Sequence, residues 1–179
     1  HVGTESVEKC ETMLDELEAS MDRAGITAAI VMPLAYPGFA AVKELELLIN
    51  HVGKRSRLKP MLCYDPTSGE TGTRVIRDLL DNDGVAGVKF FTGYDPYFPT
   101  DDCIAPLLDA IEKKGLVAKF HTGATSRTEP ARLRFSSDPY SFDDLAVARP
   151  ALKIDCAHFM APNHIAMAPV LDKNSNIFA

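Results

Sequence analysis

Several familiar signatures are missing from this chain. No apolar stretch is long enough to span a bilayer and no basic-then-apolar start resembles a signal peptide, so a cytoplasmic chain with no membrane partner is expected. No run of Lys and Arg interrupts a formal net charge of −6, which argues against nucleic acid, whose non-specific binding rests on neutralised phosphates. The four cysteines, Cys10, Cys63, Cys103 and Cys156, form no C-x-x-C pair; zinc-ribbon and redox readings have no support, and reduced, mostly buried thiols are expected. No G-x-G-x-x-G or G-x-x-x-x-G-K follows an apolar run, which removes the usual dinucleotide and P-loop readings. What remains is a single domain over the 179 residues, with a small molecule as its expected partner.

What is present alternates between two periods. Cys10, Leu14, Leu17 and Met21 recur at three- and four-residue steps and predict an amphipathic helix over 6–24, stopped by Gly25. Further helices are expected from Phe39 to Val52, over 72–81, around Ile104 to Ile111, over 141–149 and over 163–173. Between them lie short apolar runs: 26–34, expected to be covered on both faces, then 58–64, 85–91, 116–123 and 151–158, with a last run starting at Asn176.

Two of these runs end alike. Leu116-Val-Ala-Lys-Phe-His-Thr-Gly123 follows a helix end marked by Lys113-Lys114-Gly115, and its alternation puts Val117, Lys119 and His121 on one face. Ala151-Leu-Lys-Ile-Asp-Cys-Ala-His158 follows Arg149-Pro150 and closes on His158. One such histidine reads first as a core residue satisfied by a carbonyl. Two of the five histidines at the C-terminal ends of successive strands read as a site, because parallel α/β folds bind ligands there.

Other candidates lie near that end. Lys89 and Phe91 share a strand face, and the loop 92–102, with Tyr94, Tyr97 and Phe98, is either a substrate wall or a packed Ω-loop. The segment 124–139 carries Arg127, Arg132 and Arg134, able to pair with an anionic substrate group or simply to keep the loop soluble. Lys54-Arg55-Ser56-Arg57 reads as a solvated basic loop, and His51 and His164 as surface residues.

Strands alternating with helices imply parallel βαβ units, either in an open doubly wound sheet or in part of a (β/α)8 TIM-like barrel. Met21-Asp-Arg-Ala-Gly-Ile26, Gly84-Val-Ala-Gly-Val-Lys89, Gly115-Leu-Val-Ala-Lys-Phe-His-Thr-Gly123 and Pro150-Ala-Leu-Lys-Ile-Asp-Cys-Ala-His158 together resemble the amidohydrolase-2 branch of the metal-dependent amidohydrolases. The resemblance implies a distorted (β/α)8 barrel with a divalent metal, zinc or alternatively manganese, at the C-terminal strand ends. It implies His121 as the strand-five ligand and His158 as the strand-six histidine, a ligand or a catalytic group. His1 fits the second histidine of a strand-one H-x-H, and Lys89 lies where some relatives carry a bridging carboxylated lysine. Because the chain starts at His1 without methionine and stops in Asn176-Ile-Phe-Ala179, it is expected to be part of a longer protein, with barrel strands one and eight outside it.

The implied activity is hydrolysis of a small organic, carboxylated substrate, with non-oxidative decarboxylation as the alternative. Substrate contacts are expected from Lys89, Tyr94 and Arg127. A Schiff-base lyase using a desolvated Lys119 and a non-catalytic binding module stay open, as does a homo-oligomer.

Overall fold

The computed structural model describes residues 7–33, 42–124 and 130–179. His1, Phe39 and Arg127 lie outside them. Six parallel strands, β1 (Ala29–Val31), β2 (Leu58–Cys63), β3 (Gly87–Phe90), β4 (Val117–His121), β5 (Lys153–Ala157) and β6 (Ile177–Phe178), form one sheet in the order β1 to β6. A doubly wound sheet reverses its strand order at a switch point. This one does not, so each crossover advances the sheet in the same direction, as the staves of a barrel do. Among the described residues the sheet is open, with β1 and β6 at its edges.

Helix α1 (Val7–Ala24) precedes β1, and helices α2 (Val42–Val52), α3 (Gly69–Leu79), α4 (Ala105–Lys113), α5 (Leu133–Ser136), α6 (Pro139–Ala148) and α7 (His164–Lys173) lie between successive strands. The stripe of α1 buries Leu14 and Met21 against Val31, Leu48, Val52 and Leu58. Gly25, at φ +67°, ends the helix, and Ile26 N–H returns to the Met21 carbonyl at 2.8 Å. Three carboxylates on α1 are gripped by one guanidinium: Arg55 donates to Asp15 and Glu18 at 2.7 Å and to Glu11 at 2.6 Å. The basic loop is therefore not merely solvated, because Arg55 joins α1 to the α2–β2 connection. His51 is a second correction, its side chain being 12% exposed and paired with Glu11.

The helix-facing side of the sheet is the core. Val88, Phe90, Ala118, Phe120, Ile154 and Cys156 pack against Leu107, Leu108, Ile111, Phe142 and Leu145, with Phe90 and Phe120 stacked at 4.8 Å between ring centroids. Gly87 lets β3 approach β4, since a Cβ there would lie 1.9 Å from the Val117 carbonyl oxygen. The short β1 departs from expectation: Ile26 and Ile30 are about half exposed, because among the described residues β1 pairs only with β2. Of the thiols, Cys63 and Cys156 are buried, whereas Cys103 is exposed.

The opposite face is polar by register. Cys63 pairs with Lys89, Lys89 with Lys119, and Lys119 with Asp155, which places four reactive or charged side chains in one row across four strands.

Candidate metal and substrate site

The site forms where β3, β4 and β5 end. His121, the last residue of β4, is 3% exposed, and its Nε2 is buried with no hydrogen-bond partner among the described residues. Burial, then Lys89, then His158 push its pKa down to about 3, so the imidazole is neutral and keeps a lone pair. The Tyr94 ring stands 4.7 Å from it and the His158 ring 4.9 Å, both edge-on.

The three residues His121-Thr-Gly123 divide the work of building this corner. The His121 carbonyl accepts from Thr92 Oγ1 at 2.5 Å, tying β4 to the end of β3. Thr122 Oγ1 donates to the Ala157 carbonyl at 2.5 Å and accepts from Met160 N–H at 3.0 Å, tying β4 to the turn that carries His158. Gly123, at φ +80°, sits so close to that turn that a Cβ would lie 2.4 Å from the Ala161 carbonyl oxygen.

The turn itself is strained. His158, Phe159 and Met160 have φ of +72°, +49° and +52°, left-handed conformations that cost a non-glycine residue about 1–2 kcal/mol each. Met160, wholly buried, anchors the turn from below while His158 and Phe159 remain exposed. His158 thereby reaches His121 instead of continuing the strand. Its pKa is lowered by local desolvation first and by Lys89 and Lys119 after it.

Below the histidines lie two lysines in unlike states. Lys119 donates to Asp155 at 2.6 Å, and the pair is partly open to solvent. Lys89 is 4% exposed, its Nζ 5.4 Å from the Phe91 ring centre, and among the described residues no carboxylate or carbonyl accepts from it. Burial, then Lys119, push its pKa down to about 7. The Schiff-base alternative left open at Lys119 would need a desolvated amine there; the more deeply buried amine is Lys89, because Asp155, the carboxylate of the row, pairs with Lys119. The settled cation of this face is Lys119, paired with Asp155 and partly open to solvent.

Of the residues singled out in the sequence, the structure brings His121, His158, Lys89 and Tyr94 together. Arg132 instead donates to the Tyr94 carbonyl and so braces the loop, and Arg134 lies over Phe135. Asp155 and the tying hydroxyls Thr92 and Thr122 were not foreseen; Asp155 shares its strand's alternation with Lys153 and Ala157, but only the β4–β5 register sets it opposite Lys119. Among the described residues no three His, Cys, Asp or Glu side chains cluster as a metal site. A separate cavity of about 660 Å³ opens between the starts of α3 and α4, lined by Tyr64, Arg74, Arg77 and Cys103 among others, and His121 does not line it.

Sequentially ordered parallel strands with histidines at their C-terminal ends define a chain of the (β/α)-barrel class. The amidohydrolase family model matches residues 14–179, and the chain belongs to that family. Solved structures agree on the fold. An uncharacterised TIM-barrel protein from Bordetella bronchiseptica is similar at 16% identity and a TM-score of 0.70, over 92% of this chain and 57% of its own. A probable 2-pyrone-4,6-dicarboxylic acid hydrolase from Acinetobacter baumannii, with citric acid bound, is similar at 13% identity and TM-score 0.57, over 92% and 57%. A 5-carboxyvanillate decarboxylase from Novosphingobium aromaticivorans, complexed with manganese and a nitrobenzoic acid, is similar at 17% identity and TM-score 0.57, over 78% and 47%. The chain thus spans about half the length of these structures. No curated protein matches it.

Proposed function

We propose that this chain carries part of the active site of a metal-dependent hydrolase, or of a non-oxidative decarboxylase, acting on a small carboxylated molecule. The observation that carries the reading is His121 Nε2: a buried, neutral nitrogen with no hydrogen-bond partner among the described residues, on a ring packed against His158 at a strand end. A nitrogen so placed costs about 1–3 kcal/mol unless something accepts its lone pair. His121 and His158 fit as two ligands of a divalent cation; the remaining ligands are not among the described residues, and His1 is a candidate for one of them. Such a cation supplies a Lewis acid and a bound water of lowered pKa. Manganese, present in the similar decarboxylase, and zinc both suit imidazole.

The chain's own residues do the rest. Lys119, partly open to solvent beside Asp155, offers the face an ammonium group for an organic anion. Tyr94 walls the site beside His121, and Arg127 is proposed to meet the substrate's acidic group. His158, exposed and with lowered proton affinity, is placed to accept a proton from the reacting group and return it. Both the hydrolase and the decarboxylase among the similar structures act on carboxylated compounds, which supports that substrate class.

The test is turnover by the full-length parent with cyclic esters of aromatic acids and with free aromatic carboxylic acids, following ring opening and CO₂ release separately. The expected result is one of the two activities, abolished by a chelator and restored by manganese or zinc. Activity that persists in chelator, or none on either class, contradicts the reading.

A further inference from the structure

We propose that Lys89 is an imine-forming amine, and that the polar face of the sheet captures the carbonyl of a small α-oxo acid on its Nζ. This goes beyond the metal-dependent reading and does not need it. Three features of the geometry carry it. Lys89 is 4% exposed, and among the described residues its Nζ has neither ion pair nor hydrogen bond, only the Phe91 ring at 5.4 Å. Its register neighbour on β4 is Lys119, whose charge Asp155 holds in place at 2.6 Å. Its neighbour on β2, Cys63, is a buried thiol whose pKa burial pushes up to about 12, so it offers no counter-charge.

A protonated Lys89 would be a buried cation next to a second cation, with no anion among the described residues left for it, an arrangement that folding strongly disfavours. The neutral amine avoids that cost, in keeping with a pKa pushed down to about 7. An amine held neutral by desolvation and an adjacent cation is a nucleophile toward carbonyl carbon. The carboxylate of an oxo acid is met by the Lys119 ammonium, which is partly exposed beside Lys89.

The step balances without a further reagent. The Nζ lone pair forms a bond to the carbonyl carbon, and a proton passes from nitrogen to oxygen to give a carbinolamine. The C–O bond then breaks, water leaves, and a C=N bond remains; water reverses the sequence.

The experiment incubates the chelator-treated chain with glyoxylate and cyanoborohydride at neutral pH. Reduction of an imine leaves a carboxymethyl group on the lysine nitrogen, which peptide mass spectrometry locates. Lys89 is expected to react about a hundredfold faster than exposed lysines such as Lys113, because a neutral fraction about a thousandfold larger than an ordinary lysine's is offset only in part by the lower nucleophilicity of a less basic amine. Lys89→Met removes the fast label while keeping the circular dichroism spectrum. Lys119→Met, which frees Asp155 to pair with Lys89, slows labelling there by about tenfold. A label that falls on Lys119, or on Lys89 no faster than on Lys113, overturns the proposal in the wild-type chain alone, whatever the variants do. Because metal is absent throughout, the outcome is separate from that of the metal-dependent reading.

Discussion

Lys89 links the chemistry of the site to the stability of the fold. An unfolded lysine binds its proton below about 10.5, whereas folded Lys89 binds one only below about 7. Between those values the unfolded chain holds the extra proton, so the stability Lys89 permits is present above about 10.5 and falls as pH drops to about 7. The slope is at most about 1.4 kcal/mol per pH unit. Lys89→Met removes the titrating group and keeps the volume. Denaturant melts of the metal-free chain across this range should show the variant gaining on the wild type as pH falls, and clearly more stable at pH 7. Equal pH dependence for the two would mean that Lys89 is charged in the fold. Which lysine is desolvated was not legible beforehand, because it depends on a carboxylate 36 positions from Lys119 that only the β4–β5 register brings alongside. His121, by contrast, was legible as a strand-end group from the apolar run before it and the glycine two residues after.

At the scale of elements, period and punctuation carried most of the information. The α1 stripe, the breaker at Gly25 and the helix end at Gly115 are local features, and the helices and strands fall close to where those features put them. What local patterns do not contain are the ties between elements: Arg55 meets Glu11 at a separation of 44 residues, and His51 meets the same carboxylate at 40. The left-handed turn at His158 has no glycine to announce it. Two substitutions probe this level. Arg55→Ala should destabilise the chain by about 1–2 kcal/mol and lose much of that difference in high salt, since its carboxylate partners are 26–70% exposed and screened. A deficit unchanged by salt would point to lost packing of the Arg55 stem instead. Gly87→Ala places a methyl group 1.9 Å from a backbone oxygen of β4, and urea unfolding should register a loss of about 3 kcal/mol or more, or no folded protein at all. A neutral effect would mean that β3 and β4 do not approach as closely as described.

Across the whole molecule, strand order is the informative quantity. Sequence alternation of strands and helices allowed both an open doubly wound sheet and part of a barrel; the uninterrupted order β1 to β6 decides for the barrel. The chain covers about half the length of the similar structures, and the two histidines it brings together at the strand ends are joined by no third His, Cys, Asp or Glu among the described residues. No helix among the described residues is long and apolar enough to cross a membrane. The central claim is the proposed role of His121 Nε2 as a ligand of a divalent cation. Its most direct test is elemental analysis of the full-length parent beside its His121→Ala variant, both confirmed folded by circular dichroism. Near-stoichiometric manganese or zinc is expected in the parent, with most of it lost in the variant. A parent that holds no metal, or a variant that holds as much as the parent, would make His121 a core histidine and refute its role as a ligand.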